Sequence, residues 1–137
     1  MGQGINTQQP VVHAIHRKCS YTDFLVSGNS VAVGVIPKGS MKLRTNAHLV
    51  TAFDNTSASF LVGTSGTTNM FLAAGDIGEL TTNNFATVTT GAGILTSDAA
   101  VIATMTHGTV PTTGVIHVVV EFMPPVMNKE ADTAFDT

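Results

Sequence analysis

The chain has 137 residues, a formal net charge of −3, hydrophobic residues at 43% and charged residues at only 11%. That length allows one domain, able to bury roughly 70% of its unfolded surface. Six Lys and Arg are too few to neutralise a run of phosphates, so nucleic acid is not an expected partner. No apolar run approaches the ~20 residues of a membrane helix, so no membrane partner is expected either.

A mean hydropathy of +0.28 with so few charges predicts a surface partly covered by copies of the chain or by another protein. The single cysteine, Cys19, rules out an intrachain disulfide and fits a reducing compartment. The opening "MGQGINTQQP" has no apolar stretch of the secretory kind. Gly2 lacks the Ser or Thr at position 6 that myristoylation asks for, since Asn6 stands there.

In chain order, residues 1–10 are polar and read as an N-terminal arm. Period-two alternation and β-branched runs then predict strands at "VVHAIHR" (11–17), "TDFLVS" (22–27) and "VAVGVIP" (31–37). Further strands are predicted at "MKLRTNAHLVTAF" (41–53), "ASFLVGT" (58–64), "FATVTT" (85–90), "AAVIATMTH" (99–107) and "GVIHVVVEFM" (114–123). The glycines of "SGNS" (27–30) and "PKGS" (37–40) mark turns, and "GTVPTTG" (108–114) a loop. In 41–53, Met41, Leu43, Thr45, Ala47, Leu49, Thr51 and Phe53 share one face, and Lys42, Arg44, Asn46 and His48 the other. Its length predicts a bend or bulge. In the last strand Ile116, Val118, Val120 and Phe122 face one way, and His117, Val119 and Glu121 the other. "FLAAGDI", within residues 69–80, reads as a short helical turn between sheets. Residues 124–137 begin with Pro-Pro, turn acidic and carry an apolar Phe135; they read as a C-terminal tail.

The expected organisation is therefore an N-terminal arm (1–10), a β-sandwich domain (11–123) and a C-terminal tail (124–137). The fold class is all-β: an antiparallel β-sandwich or jelly roll of about eight strands, with flexible N- and C-terminal arms that fray or lie across neighbouring subunits.

No catalytic, cofactor-binding or metal-ligating residues are predicted. His13 and His16 are three apart and fall on opposite faces of a strand. With His48, His107 and His117 they read as scattered or satisfied histidines, and Cys19 has no zinc-type companion. The carboxylates Asp54, Asp76, Glu79, Asp98 and Glu121 form no close pair in sequence, and Asp54, opening "DNTS", reads as turn chemistry. "GTSGTT" (63–68) has neither the spacing of a nucleophile elbow nor the lysine of a phosphate loop. "TTGAGIL" (89–95) holds a lone Gly-x-Gly, read as turn glycine, and Asn55-Thr56-Ser57 matches the glycosylation pattern. Arg17 and Lys18 could lower the pKa of Cys19, which otherwise reads as an ordinary small residue. Without Trp, and with Tyr21 the one Tyr, aromatic platforms for sugars or single strands are scarce.

One order of features resembles a known group. In "VAVGVIPKGSMKLRTNAHLVTAF" the piece "IPKGSMKL" is similar to an apolar-Pro-x-Gly-x-x-apolar corner. "TAFDNTSASFLVGTSGTTNMFLAAGDI" is similar to an aromatic and a turn before "x-VG" and a following "x-x-L-x-x-x-D". A Thr-rich strand pair and a closing Val-rich strand, "GVIHVVVEFMP", complete the pattern. Over residues 11–123 the chain resembles small virion structural proteins of tailed bacteriophages, of the capsid decoration (cement) type. The resemblance implies a β-sandwich or jelly roll, a homotrimer, the major capsid protein as partner, and a place on the capsid surface after assembly in the host bacterial cytoplasm. It carries over no functional residues, and the longer acidic tail departs from the pattern. The reading is thus a non-enzymatic structural protein. The alternatives are a head- or tail-fibre adhesion module for a host surface glycan, and a small hydrolase on a sandwich.

Overall fold

The computed structural model describes residues 11–54, 58–77, 80 and 85–125. The arm 1–10, Asn55-Thr56-Ser57, Glu79 and most of the tail (126–137) lie outside the described residues. The described strands are β1 (His13–Ser20), β2 (Asn29–Ile36), β3 (Met41–Thr51), β4 (Ser59–Gly63), β5 (Phe85–Val88), β6 (Gly93–Ile94), β7 (Ala99–Thr106) and β8 (Val115–Met123). A single helical turn, α1 (Ala74–Ile77), falls inside the predicted "FLAAGDI".

All these strands pair antiparallel, in two sheets. One has the order β1-β8-β3-β5, with β6 added to β3; the other is β2-β7-β4. The chain is an all-β sandwich of the kind the alternation implies, because each strand has one apolar face to bury. The centre of the larger sheet shows it best. Ile116, Val118, Val120 and Phe122 of β8 all point into the core, as do Thr45, Ala47 and Leu49 of β3. From the smaller sheet come Ile36, Phe60, Val62, Val101, Ala103 and Met105. Phe24 meets Phe60 edge to face at 6.0 Å between centroids.

The long third strand is bulged, as its length requires. The register of β3 on β8 shifts between Lys42 and Arg44 and again between Leu49 and Thr51. The first shift reverses the expected facing at the strand's start. Met41 is exposed, whereas Lys42 is fully buried opposite Phe122. An extra residue changes the parity of everything before it.

The strand predicted at 22–27 is not one. β1 runs on to Ser20, and Tyr21–Phe24 form a 3-10 turn. The cause is local: the Asp23 carboxylate accepts from the Ser20 backbone N–H at 3.0 Å, closing a capping box. The Asn29 side-chain amide donates to the Asp23 carbonyl at 2.8 Å and holds the following turn. The count of eight survives because "TTGAGIL", read as turn alone, contributes the two-residue β6.

Two glycines close the sandwich. At Gly114 (φ +142) a Cβ would come within 2.3 Å of the Phe53 ring. At Gly34 a Cβ would sit 2.8 Å from Ile15 Cγ2, so β1 and β2, on different sheets, meet along one side.

Candidate functional site: the two outer faces

With the inner faces packed, chemistry is left to the outer ones. The strands of the smaller sheet, NSVAVGVI, AAVIATMT and SFLVG, contain no charged residue. Its outer face carries hydroxyl pairs across strands: Ser30 with Thr104 at 2.7 Å and Ser59 with Thr106 at 2.6 Å. Beyond the Ser30–Thr104 row, toward the start of β7, lie aliphatic groups, including Ala32, Ala100 and Val35, the last 59% exposed. Such a face loses little hydration energy when covered.

The larger sheet is different. Register sets Ala14, Glu121 and Arg44 in one row, His16, Val119, Asn46 and Thr87 in the next, and Lys18, His117, His48 and Phe85 in a third. A polar ribbon crosses the strands. Arg44 Nε lies 3.0 Å from Glu121 Oε1, Asn46 donates to Glu121 Oε2 at 2.5 Å, and Thr87 donates to Asn46 Oδ1 at 2.9 Å. Burial pushes the Glu121 carboxyl up, but the Asn46 amide and the Arg44 guanidinium outweigh it and hold the carboxyl below its usual range.

Beside that ribbon lies an open depression of about 510 Å³. His16, His117 and His48 supply imidazoles to it, and Val50, Val119 and Phe85 supply apolar walls. Phe85 is 65% exposed and its ring stands edge-on to His48 at 5.7 Å. His16 Nε2 and His117 Nδ1 are 2.8 Å apart with rings stacked at 5.0 Å, so one nitrogen donates its hydrogen to the other. Burial first, then His16, Lys18 and His48, push the His117 imidazole below its usual pKa.

The remaining singled-out residues stand apart. His13 faces Phe122, on the side opposite His16, as the spacing requires. His107 Nε2 meets the Phe24 carbonyl at 2.7 Å. Cys19 is fully buried. Burial first, with Asp23 adding to it and Arg17 opposing, pushes its thiol up to about 12, the reverse of activation.

Apart from Glu121, the described carboxylates are held in local or loop-bridging bonds. Asp98 accepts from the Lys38 N–H at 2.8 Å and Asp76 from the Ala73 N–H at 2.8 Å. Asp54 accepts from Thr112 N at 2.7 Å, from the Thr112 hydroxyl and from Thr113 N at 3.2 Å, tying the end of β3 to the loop before β8. These bonds hold its carboxyl below the usual range. Among the described residues no group of three or more His, Cys, Asp or Glu could hold a metal ion, and no helix is long and apolar enough to cross a membrane.

The sequence reading left the histidines scattered. Pairing β8 between β1 and β3 brings three of the five to one face. None of the three strands shows this alone; the signal is the register that sets His48 opposite His117, which needs the pairing to be known.

No protein-family model matches the sequence, and no curated protein does. Solved structures do share the fold. One chain in the capsid asymmetric unit of cyanophage Pam1 matches with a TM-score of 0.67 at 18% identity, over 85% of this chain and 86% of that one. A chain in the acidic stable capsid structure of Helicobacter pylori bacteriophage KHP30 matches at 0.62 and 17% identity, over 87% and 95%. A chain in the capsid of Ralstonia phage GP4 matches at 0.52 and 12% identity, over 85% and 84%.

Proposed function

We propose that the chain is a virion structural protein of a tailed bacteriophage that decorates the capsid surface and cements it, with no enzymatic step. The observation that carries this reading is the whole-chain match to chains in three phage capsid structures. The match spans most of both partners each time, so it is to small sandwiches of this size rather than to a part of a large shell subunit. Identities of 12–18% make it a likeness of fold, and the surface chemistry adds the rest.

In this reading the uncharged face of β2, β7 and β4 lies on the major capsid protein across subunit joints. Buried apolar area there contributes about 25 cal/mol per Å² before the cost of association. Three copies joined as a homotrimer multiply that contact on a repeating lattice. Assembly takes place in the host bacterial cytoplasm, which suits a lone reduced Cys19.

The test compares capsids with and without the protein for resistance to heat and osmotic shock. Val35→Lys with Ala100→Lys places cations on the uncharged face and is expected to abolish capsid binding while leaving the fold intact. Unchanged capsid stability together with no binding of the wild-type chain overturns the proposal. A glycan-array signal from chains that ignore capsids would favour the fibre adhesion module instead.

A further inference from the structure

Among the described residues nothing covers the histidine-lined depression, and the sequence contains a segment that complements it. Its walls are apolar (Phe85, Val50, Val119), its floor holds imidazoles, Lys18 ends the row of His117, His48 and Phe85, and Arg44 stands on the row beyond His16 and Asn46. Arg44 is paired with Glu121, but no carboxylate faces Lys18 across its row, whose other members are His117, His48 and Phe85. The fitting occupant is a short acidic segment with an aromatic side chain.

Residues 126–137, "VMNKEADTAFDT", have that composition: Glu130, Asp132 and Asp136 against the single Lys129, with Phe135 among them. The N-terminal arm 1–10 carries no charged side chain and offers no such complement. The segment 126–137 can span up to about 40 Å if extended.

Its reach covers its own depression as well as a neighbour's, so the choice between them rests on the self-association of the proposed function. β8 ends at Met123 and is followed by Pro124 and Pro125, the latter seated beside Gly39 of the turn between β2 and β3. Each proline ring fixes φ near −65° and holds the residue before it extended. Two in succession keep the chain extended as far as Pro125. The depression lies back along β8, at His117 and Val119.

We infer that the acidic segment 126–137 of one copy binds the histidine-lined depression of a neighbouring copy, with Phe135 against Phe85 and the carboxylates toward Lys18 and the imidazoles. The contact is heterologous, tail to face, and such a contact is finite only when it closes into a ring. This gives the homotrimer of the proposed function its joint; it rests on that self-association and not on the contact with the shell.

The experiment uses the full chain without capsids. Sedimentation equilibrium at micromolar concentration is expected to show a closed oligomer. Phe135→Asp and Phe85→Ser are each expected to weaken association about tenfold or more, as loss of a central aromatic anchor does. The double variant is expected to be little worse than either single one, because both remove one contact. Far-UV circular dichroism is expected to stay unchanged, Phe85 being an exposed side chain. Val35→Lys, on the other face, is expected to leave the oligomer intact.

Phe85→Cys with Phe135→Cys is expected to oxidise to disulfide-linked oligomers on a non-reducing gel, Cys19 being buried. A monomeric wild-type chain, unchanged mass in Phe135→Asp, fully additive losses, or a disulfide confined within one chain each overturns the inference. Capsid binding by the Phe135→Asp variant is read separately. If it persists while the inference fails, the decoration reading stands without this joint.

Discussion

The ammonium of Lys42 donates to the carbonyl oxygen of Thr90 at 2.6 Å, from a side chain that is fully buried. It also lies 5.2 Å from the centre of the Phe71 ring. The bulge after Lys42 turns this residue inward, and the two contacts replace only part of its hydration. Burial pulls its pKa down from 10.5 to about 8.

The pH dependence of stability follows from that depression. Between about 8 and 10.5 the unfolded chain holds a proton on Lys42 that the folded chain has released, so stability rises with pH across this window. At pH 7 both states are protonated and the folded state carries the whole cost, roughly 3 kcal/mol at about 1.4 kcal/mol per unit. Lys42→Met is therefore expected to be at least as stable as wild type at pH 7 and to lack the alkaline rise. Urea denaturation of both proteins at pH 7 and pH 9.5 checks this; a parallel alkaline rise in the variant would refute it.

Thr45 sits on the same strand, one of the inward residues the alternation predicts. Its hydroxyl is buried with no hydrogen-bond partner among the described residues. Thr45→Val keeps the β-branched shape and removes the orphan oxygen, so it is expected to stabilise the fold by about 1 kcal/mol. Chemical denaturation measures it, and a loss of stability would mean that the hydroxyl is satisfied in solution.

These two residues show how far the sequence could be read. Period-two alternation located β3 and β8 and the inward set from Thr45 to Leu49, because a half-buried strand writes its facing directly into its residues. It put Lys42 on the wrong side, because a bulge adds one residue without a consistent local mark. It drew a strand through Thr22–Phe24, because apolar content outweighed the short-range pairing of Ser20 with Asp23. The depression was not legible at all. His16, His48 and His117 come from three strands, and only the order β1-β8-β3 makes neighbours of them.

Gly114 sits where its own backbone and a neighbour both exclude a side chain. Its φ of +142° disfavours other residues, and a Cβ would penetrate the Phe53 ring, itself 1% exposed. Gly114→Ala is expected to cost roughly 2–4 kcal/mol, combining backbone strain with overpacking. A thermal melt within a degree or two of wild type would show that the loop before β8 can shift, and that Asp54 does not hold Thr112 and Thr113 as placed.

The imidazole pair gives the outer face its own pH response. A hydrogen bond between His16 Nε2 and His117 Nδ1 needs one of those nitrogens unprotonated, so a second proton sets two N–H groups face to face. His117 titrates below the ordinary 6.5, through burial first and then His16, Lys18 and His48. Because its folded pKa is depressed, the unfolded chain binds the proton first as pH falls, and stability declines below about 6.5. The ring-proton resonance of His117 is expected to shift with a midpoint below 6.5, and to move toward that value in His16→Ala. His117→Gln is expected to flatten the fall in melting temperature between pH 6.5 and pH 5. A His117 midpoint unmoved by His16→Ala would remove the pair from the account and leave burial, Lys18 and His48 as the causes.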